Sequence, residues 1–408
     1  MNRTEWILFM TVMLAVAGFA LPSPVMTPMF LDQGYQLLAS DTGQTERIWW
    51  LMLAFGLYPV GQMLGGPYLG RLSDRWGRKP VLVGALIGVV LGYLVMALAI
   101  WQQWLWLLLL SRLWEGLCNG NVAIAQAMAA DISSPERKPI LFSRLNVALN
   151  MGWIVGPLFG GFMAEYGGGY TAPFIGAGVI AALNLGGVFW GLPAVTTAAQ
   201  GPGAEPPAVR LSLIRLPQLR LYLLLTLLSY GAIMLYFNFF NVWLVERFAQ
   251  TPFQLALAAV MISVPMMFGS WLAGRISGRL HLLWIGLLGH LLMTLGMLLF
   301  VVPQSLAMLY LVMAIAGVGI TIGEQATSLG VSNNAPASQQ GEAMGLYRAL
   351  AMGSELLAAA MGALLVIQGT QYAYIGAAML ALLCVLIFLR KGIVEVGRAL
   401  RPQSTSAP

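Results

Sequence analysis

Charge is what this sequence has least of. Asp, Glu, Lys and Arg make up 9% of its 408 residues, against about 25% in soluble domains, so no water-exposed surface for a soluble chain of this length can be built. Histidine and cysteine are scarce as well, with two of each. Cys118 and Cys384 both lie inside apolar runs, which excludes a disulfide framework and a CxxC metal or redox motif. No Gly-Xaa-Ser-Xaa-Gly or His-Glu-Xaa-Xaa-His string occurs, so neither a serine hydrolase elbow nor a zinc-peptidase helix is available. The chain is therefore read as a non-enzyme with no cofactor and no metal.

What is present in quantity is apolar sequence, 59% of the chain. Runs of about 20 residues, the length that crosses a bilayer, recur twelve times, at 6–31, 48–70, 81–101, 104–131, 139–164, 170–192, 219–245, 253–274, 282–302, 305–331, 342–367 and 371–390. The first run is too long for a signal peptide, and Pro22, Pro24 and Pro28 stand where small cleavage-site residues would. It reads as a retained helix. The formal charge of +6 does not point to nucleic acid, because sixteen of the 21 Lys and Arg fall in alternate loops and at the termini, among them Arg3, Arg137, Arg220, Arg275, Arg390 and Lys391. Only Arg47 and Arg247 fall in loops of the other side. By the positive-inside rule both termini face the cytoplasm.

A Pro-rich stretch at 193–217 splits the spans six and six and reads as a cytoplasmic linker between bundles at 1–192 and 218–392, with a tail at 393–408. The halves echo one another: Gly70-Arg-Leu-Ser-Asp74 matches Gly274-Arg-Ile-Ser-Gly278, and Phe142-Ser-Arg144 matches Leu346-Tyr-Arg348 at the same offset. The second copy lacks the acid, so Asp74 answers to function rather than to repeat symmetry. Two such bundles are the layout in which a midplane site opens alternately to each side.

The sharpest motif is Gly70-Arg-Leu-Ser-Asp-Arg-Trp-Gly-Arg-Lys79, which sets five charges between two apolar runs. Gly70 and Gly77 allow a tight reversal, and Asp74 can accept from helix N-terminal amides. Span 4 carries Arg112, Glu115, Asn119 and Gln126 within about 60° of arc if it is one helix, a polar stripe too costly to face lipid. Span 5 contains Gly152, Gly156, Pro157, Gly160 and Gly161 as GxxxGPxxGG; the glycines at 152, 156 and 160 line one face for close helix packing, and Pro157 bends the helix.

The GxLxDRxGRK string resembles the loop between helices 2 and 3 of the major facilitator superfamily, the large group of secondary transporters. The span 4 arginine followed by a polar residue and glycine, here with Glu115 instead of the usual Gln, resembles that family's second motif. GxxxGPxxGG resembles its antiporter motif, and Gly18 to Pro28 resembles the first helix of tetracycline-type exporters. The resemblance implies the all-α membrane fold of twelve helices in two pseudo-symmetric bundles. It also implies a conformational latch at Gly70, Asp74, Arg75, Gly77, Arg78 and Lys79. One departure stands out: such exporters commonly carry an acid within span 1, where this chain has Leu, Ala and Val.

The remaining membrane acids are expected to replace it. Glu115 beside Arg112, Glu324 in span 10 with Thr321 and Ser328, and Glu355 two turns from Arg348 are the proton-coupling candidates. Each is otherwise a structural ion, and His290 is either a proton carrier or a helix-to-helix hydrogen bond. A cavity implied by the family is expected to draw on Tyr58, Gln62, Asn119, Asn146, Asn150, Trp153, Tyr230, Asn238, Asn241 and Arg348. Scattered amides on an apolar wall suit an amphipathic organic molecule. The function expected is proton-driven export of a drug, dye or siderophore by a monomer in a bacterial inner membrane. The alternative is a proton symporter importing a nutrient or siderophore, and a transport-like receptor without flux stays open.

Overall fold

The computed structural model describes residues 2–134, 137–193, 216–277, 279–336 and 339–399. The expected linker from 194 to 215, the tail from 400, Arg210, Arg215, Gly278 and Arg401 lie outside the described residues. Those described form fourteen helices and no strand: α1 (Arg3–Ala20), α2 (Pro22–Leu31), α3 (Gln44–Trp76), α4 (Arg78–Trp101), α5 (Leu105–Cys118), α6 (Asn121–Ile132), α7 (Lys138–Tyr166), α8 (Ala172–Gly191), α9 (Pro217–Phe248), α10 (Pro252–Ile276), α11 (Leu282–Leu299), α12 (Leu306–Asn334), α13 (Gln340–Val366) and α14 (Gln371–Ala399). Eleven segments are long and apolar enough to cross a membrane, with α1 and α2 counted as one.

The expected fourth span, 104–131, is present but is not one helix. It breaks at Asn119 and Gly120 into α5 and α6. The Asn-Gly dipeptide, a turn signal even within an apolar run, is the physical reason. In hydrocarbon a break leaves peptide groups that protein must satisfy, and α3 supplies the partners. Gln62 Nε2 donates to the Asn119 carbonyl at 3.5 Å, and Asn119 Nδ2 donates to the Tyr58 hydroxyl. The stripe laid out on a continuous helix is thereby corrected: Gln126 sits on α6, past the break.

The charged turn is also tighter than its sequence suggests. α3 continues through Gly70 to Trp76, and α4 starts at Arg78, so Gly77 alone makes the reversal at φ 92°. Gly70 is helical and takes no part in it. A residue with a Cβ at position 77 is strained in that left-handed conformation.

The described residues fall into two compact units, one drawn from Met1–Pro206 with Phe240–Val260, the other from Pro207–Phe239 with Met261–Pro408. The first has a core around Leu8, Val12, Leu82, Leu86, Met128 and Val188. Its helices approach closely through small residues, as membrane bundles do in place of hydrophobic drive. A Cβ on Gly61 would lie 2.3 Å from the Leu113 carbonyl, and one on Gly116 2.1 Å from the Tyr58 carbonyl, which locks α3 to α5. In the second unit α11 and α12 touch in the same way, with a Cβ on Gly289 falling 2.3 Å from the Gly323 nitrogen.

Arg47 departs from its expected status as a loop charge. It is 1% exposed and donates to the carbonyls of Phe30, Asp32, Ala39 and Thr42 at 3.0 to 3.3 Å, tying the 32–43 connection onto α3. In the same connection burial pushes the Tyr35 phenol up to about 12, so it stays protonated and donates to the Ile100 carbonyl. Replacing Arg47 with Met takes a donor from four carbonyls, of which those of Asp32 and Ala39 keep the Tyr35 and Thr42 amides. At about 1–2 kcal/mol for each of the other two, thermal unfolding in detergent is expected to show roughly 3 kcal/mol of destabilisation, with amide exchange accelerated across 32–43. Unchanged exchange there would show that the segment holds without Arg47.

Candidate functional site

Four clusters of polar side chains and one glycine-lined helix face stand out among the described residues. The first surrounds the Gly77 reversal. Arg78 pairs with Asp74 one turn away, donates to Ser73 Oγ at 2.8 Å and reaches Asp131 at the end of α6 at 3.0 Å. Lys79 caps the end of α8 through the Leu192 carbonyl at 2.7 Å. Arg71 and Arg75 are exposed. Asp74 was expected to accept from helix amides; its described partner is instead the guanidinium of Arg78, because α3 carries on to Trp76 and brings the two one turn apart. The Asp74 side chain is 62% exposed, so this pair contributes little on its own. The arginine matters as the link between α3, α4 and α6.

A second cluster escaped sequence reading. Glu5, capped on its backbone by Asn2, is 8% exposed and holds Arg144 at 2.8 Å and Arg137 at 3.3 Å. An acid in the first turn of an apolar helix was the available signal; its partners lie more than 130 residues away and left none.

The third cluster stands on α5. Arg112 and Glu115 are three residues apart, 2% and 0% exposed, with Nη1 and Oε2 2.8 Å apart. The guanidinium also donates to the Ala54 carbonyl at 3.3 Å and lies 4.9 Å from the centre of the Tyr58 ring. Tyr58 thus joins Arg112 to Asn119, and Phe19 packs 5.0 Å from its ring. The second carboxylate oxygen, Glu115 Oε1, is buried without a hydrogen-bond partner of ordinary geometry, although the Tyr93 phenol of α4 interacts with the carboxylate. Tyr93, like Asn121, Asn184 and Thr11 nearby, was not marked by its sequence: a lone polar residue in an apolar run does not reveal what it meets.

The fourth feature is the α7 glycine face, whose partner is α1. Cβ atoms on Gly152, Gly156 and Gly160 would fall 2.7, 2.2 and 2.8 Å from the carbonyls of Met13, Ala17 and Leu21. Gly161 points elsewhere, 2.5 Å from the Pro252 carbonyl by the same measure. Pro157 is buried within the helix. The amides Asn146 and Asn150 and the Trp153 ring lie on an exposed face of α7.

The last cluster is in the second unit. Tyr230 of α9 donates to Glu324 Oε1 of α12, and its hydroxyl is 3.4 Å from that of Tyr347 on α13. Ser328 bonds Tyr347, and Arg348 acts electrostatically on Glu324. The structure so joins Tyr230, Glu324 and Arg348, which were nominated separately. Glu355 is half-buried about two turns beyond Arg348 on α13, and Asn238 is half-buried on α9. Asn241 belongs with the first unit, donating to Ser23 Oγ at 2.7 Å. His290 is fully buried between the Gly286 carbonyl at 2.7 Å and Ser229 Oγ at 2.6 Å. With Nδ1–H donating to the carbonyl, Nε2 accepts from the serine, an α11-to-α9 bond. Among the described residues no three His, Cys, Asp or Glu gather as a metal would need.

An all-helical, multi-pass membrane chain with these paired buried charges and glycine-lined contacts defines a class, the polytopic membrane transporter. The profile of the Major Facilitator Superfamily matches residues 8–358, and the chain belongs to that superfamily. The superfamily and the chain's curated relatives are membrane transporters, not enzymes. Among curated relatives the chain is 33% identical over 184 residues to the tetracycline resistance protein, class C, of Escherichia coli, covering 45% of this chain and 43% of that one. It is 32% identical over 184 residues to the quinolone resistance protein NorA of Staphylococcus aureus, covering the same shares. The chain thus spans less than half the length of these relatives. A crystal structure of a bacterial homologue of the human lysosomal transporter Spinster shares the fold, with a TM-score of 0.77 at 13% identity over 95% of this chain and 96% of that one.

Removing one partner of a buried ion pair strands the other, at about 3–5 kcal/mol, whereas replacing both with apolar residues is near neutral. Glu115→Leu is therefore expected to lower thermal stability in detergent by that order, and Arg112→Met combined with Glu115→Leu to recover most of it. An additive double variant would show that the two do not act as a pair.

Proposed function

We propose that this chain exports amphipathic small organic molecules, such as drugs or siderophores, in exchange for protons. In this reading the transporter works as a monomer in the inner membrane of a bacterium, with both termini and the Gly77 reversal in the cytoplasm. Bundles at 1–192 and 218–392, joined by the linker, expose a central site to each side in turn. Asp74, Arg75, Arg78 and Lys79, with Gly70 and Gly77, act as the cytoplasmic latch. The observation that carries export is the complete GxxxGPxxGG string on α7 seated against α1, and the resistance proteins named above support it.

Glu115 and Glu324 are the proposed proton carriers, with Glu355 as a further acid in the second bundle. Their settings differ. The Arg112–Glu115 pair loses its ionic attraction when Glu115 takes a proton, so protonation frees Arg112 to shift. The Tyr230 hydroxyl can serve a carboxylate or a carboxylic acid alike, so Glu324 can gain and lose a proton without losing its neighbour. Arg348, exposed beside Glu324, offers charge to an anionic group on substrate. Tyr58, Gln62, Asn119, Asn146, Asn150 and Asn241 complete the polar lining drawn from the first unit.

The α1 helix favours the second reading, import by proton symport, in one respect: its acid is Glu5 at the helix start, tied to two arginines, and not mid-helix. Inverted vesicles with an imposed pH gradient separate the two. Gradient collapse on adding cationic or neutral drugs or siderophores, absent with Asp74→Asn, supports export; silence across the panel together with uptake into right-side-out vesicles supports import. Glu324→Gln is expected to abolish proton-coupled flux while substrate binding stays measurable. Wild-type pH dependence of flux in that variant would remove Glu324 from the mechanism.

A further inference from the structure

The first unit contains a cavity that shares Asn119 and Gly156 with the transport reading but is lined mostly by other residues. It lies among α1, α4, α7, α8 and the α5–α6 break, is partly open with a volume of about 80 Å³, and is largely apolar, with Thr11, Tyr93, Asn119, Asn121 and Asn184 supplying its polar atoms. At ~30 Å³ per molecule it has room for two or three waters. One of its acceptors has no donor. Asn121 is 1% exposed and its Oδ1 is fully buried with no partner. The Thr11 hydroxyl is already engaged, with the Ile7 carbonyl at 2.8 Å and Asn184 Oδ1 at 3.1 Å. Asn119 Nδ2 is turned to Tyr58. A buried acceptor without a donor costs about 1–3 kcal/mol, and water in a polar pocket of sufficient size is the usual remedy.

We propose that this cavity holds bound water, and that the water connects Asn121 through Tyr93 to Glu115 as a proton path inside the first bundle. Tyr93 belongs both to the cavity wall and to the surroundings of Glu115, whose Oε1 is the other buried acceptor lacking a donor of ordinary geometry. The groups facing Glu115 are Arg112 and Cys118 from its own helix, Tyr93 from α4 and, across Arg112, Tyr58 from α3. Of these only Tyr93 also borders the cavity, so its hydroxyl is where a proton passes from water to the carboxyl. The path rests on the reading of Glu115 as a proton carrier; the presence of water does not.

Two measurements on the full chain in nanodiscs test this separately. Radiolytic labelling in ¹⁸O-water reports water beside a side chain. Tyr93 is expected to be labelled although buried, and Asn121→Leu, which fills the polar end, to reduce that labelling several-fold. Asn184→Leu, from the opposite wall, is expected to do the same and serves if the first variant does not fold. An unlabelled Tyr93 in the wild type would overturn the proposal by showing a dry cavity. Stopped-flow proton release on substrate addition, read with a pH dye, tests the path: Asn121→Leu should slow release several-fold with its final amplitude kept. An unchanged rate would overturn the path while Tyr93 labelling still decides the water. Release of full amplitude in Glu115→Gln would instead overturn the role of Glu115 itself, and the path with it.

Discussion

A peptide group that meets neither water nor a partner in hydrocarbon costs several kcal/mol, and this constraint governs where the chain can depart from a helix. The interior break at Asn119 and Gly120 exists because α3 brings Tyr58 and Gln62 to it. α3 can come that close because Gly61, Gly65 and Gly116 remove side chains from the contact. Once α3 and α5 touch backbone to backbone, the Ala54 carbonyl and the Tyr58 ring are in reach of Arg112. The buried ion pair is thus a consequence of the glycine contact, since only a site already supplied with acceptors can hold a guanidinium out of water.

The two acidic clusters solve the same problem with different chemistry. Glu115 is compensated by a full opposite charge three residues away on its own helix, a geometry that persists however the helices move. Glu324 is held from other helices, by a phenol on α9 and a more distant guanidinium on α13. Any change in the packing of α9 or α13 against α12 alters the second setting and leaves the first intact. A difference of that kind is what lets one chain contain both a firm electrostatic element and an adjustable one.

Local regularities were readable in the sequence; encounters were not. The spans followed from apolar length, and the Gly152, Gly156 and Gly160 face followed from a spacing of four, because each depends only on residues near in the chain. Gly70 was misplaced in a turn because glycine permits a reversal without requiring one, and the surrounding sequence keeps α3 helical to Trp76. Asn119 was placed on a continuous helix by counting 100° per residue through an Asn-Gly pair that ends one. Arg47 looked like a loop charge because nothing local shows that four carbonyls converge on it. Glu5, Tyr93, Asn121 and Asn184 acquire their meaning from partners on other helices, and a single sequence holds no record of those.

The doubled glycine that closes the α7 motif has a geometric explanation in the first unit. Residues 152, 156 and 160 repeat every four positions and stay on one side of the helix, against α1. Residue 161 is turned about 100° further and cannot share that side. Its neighbours are Pro252 and Ala256 at the start of α10, where a Cβ would lie 2.5 Å from a carbonyl and 2.7 Å from a methyl. Just beyond, Glu165 Oε2 accepts from the Phe253 amide at 3.1 Å, and Phe162 and Tyr166 pack edge-on against the Phe253 ring. The last turns of α7 are therefore wedged between two backbones at once. One glycine can relieve only one such contact, so the motif needs both: Gly160 admits α1, Gly161 admits α10, and neither can substitute for the other.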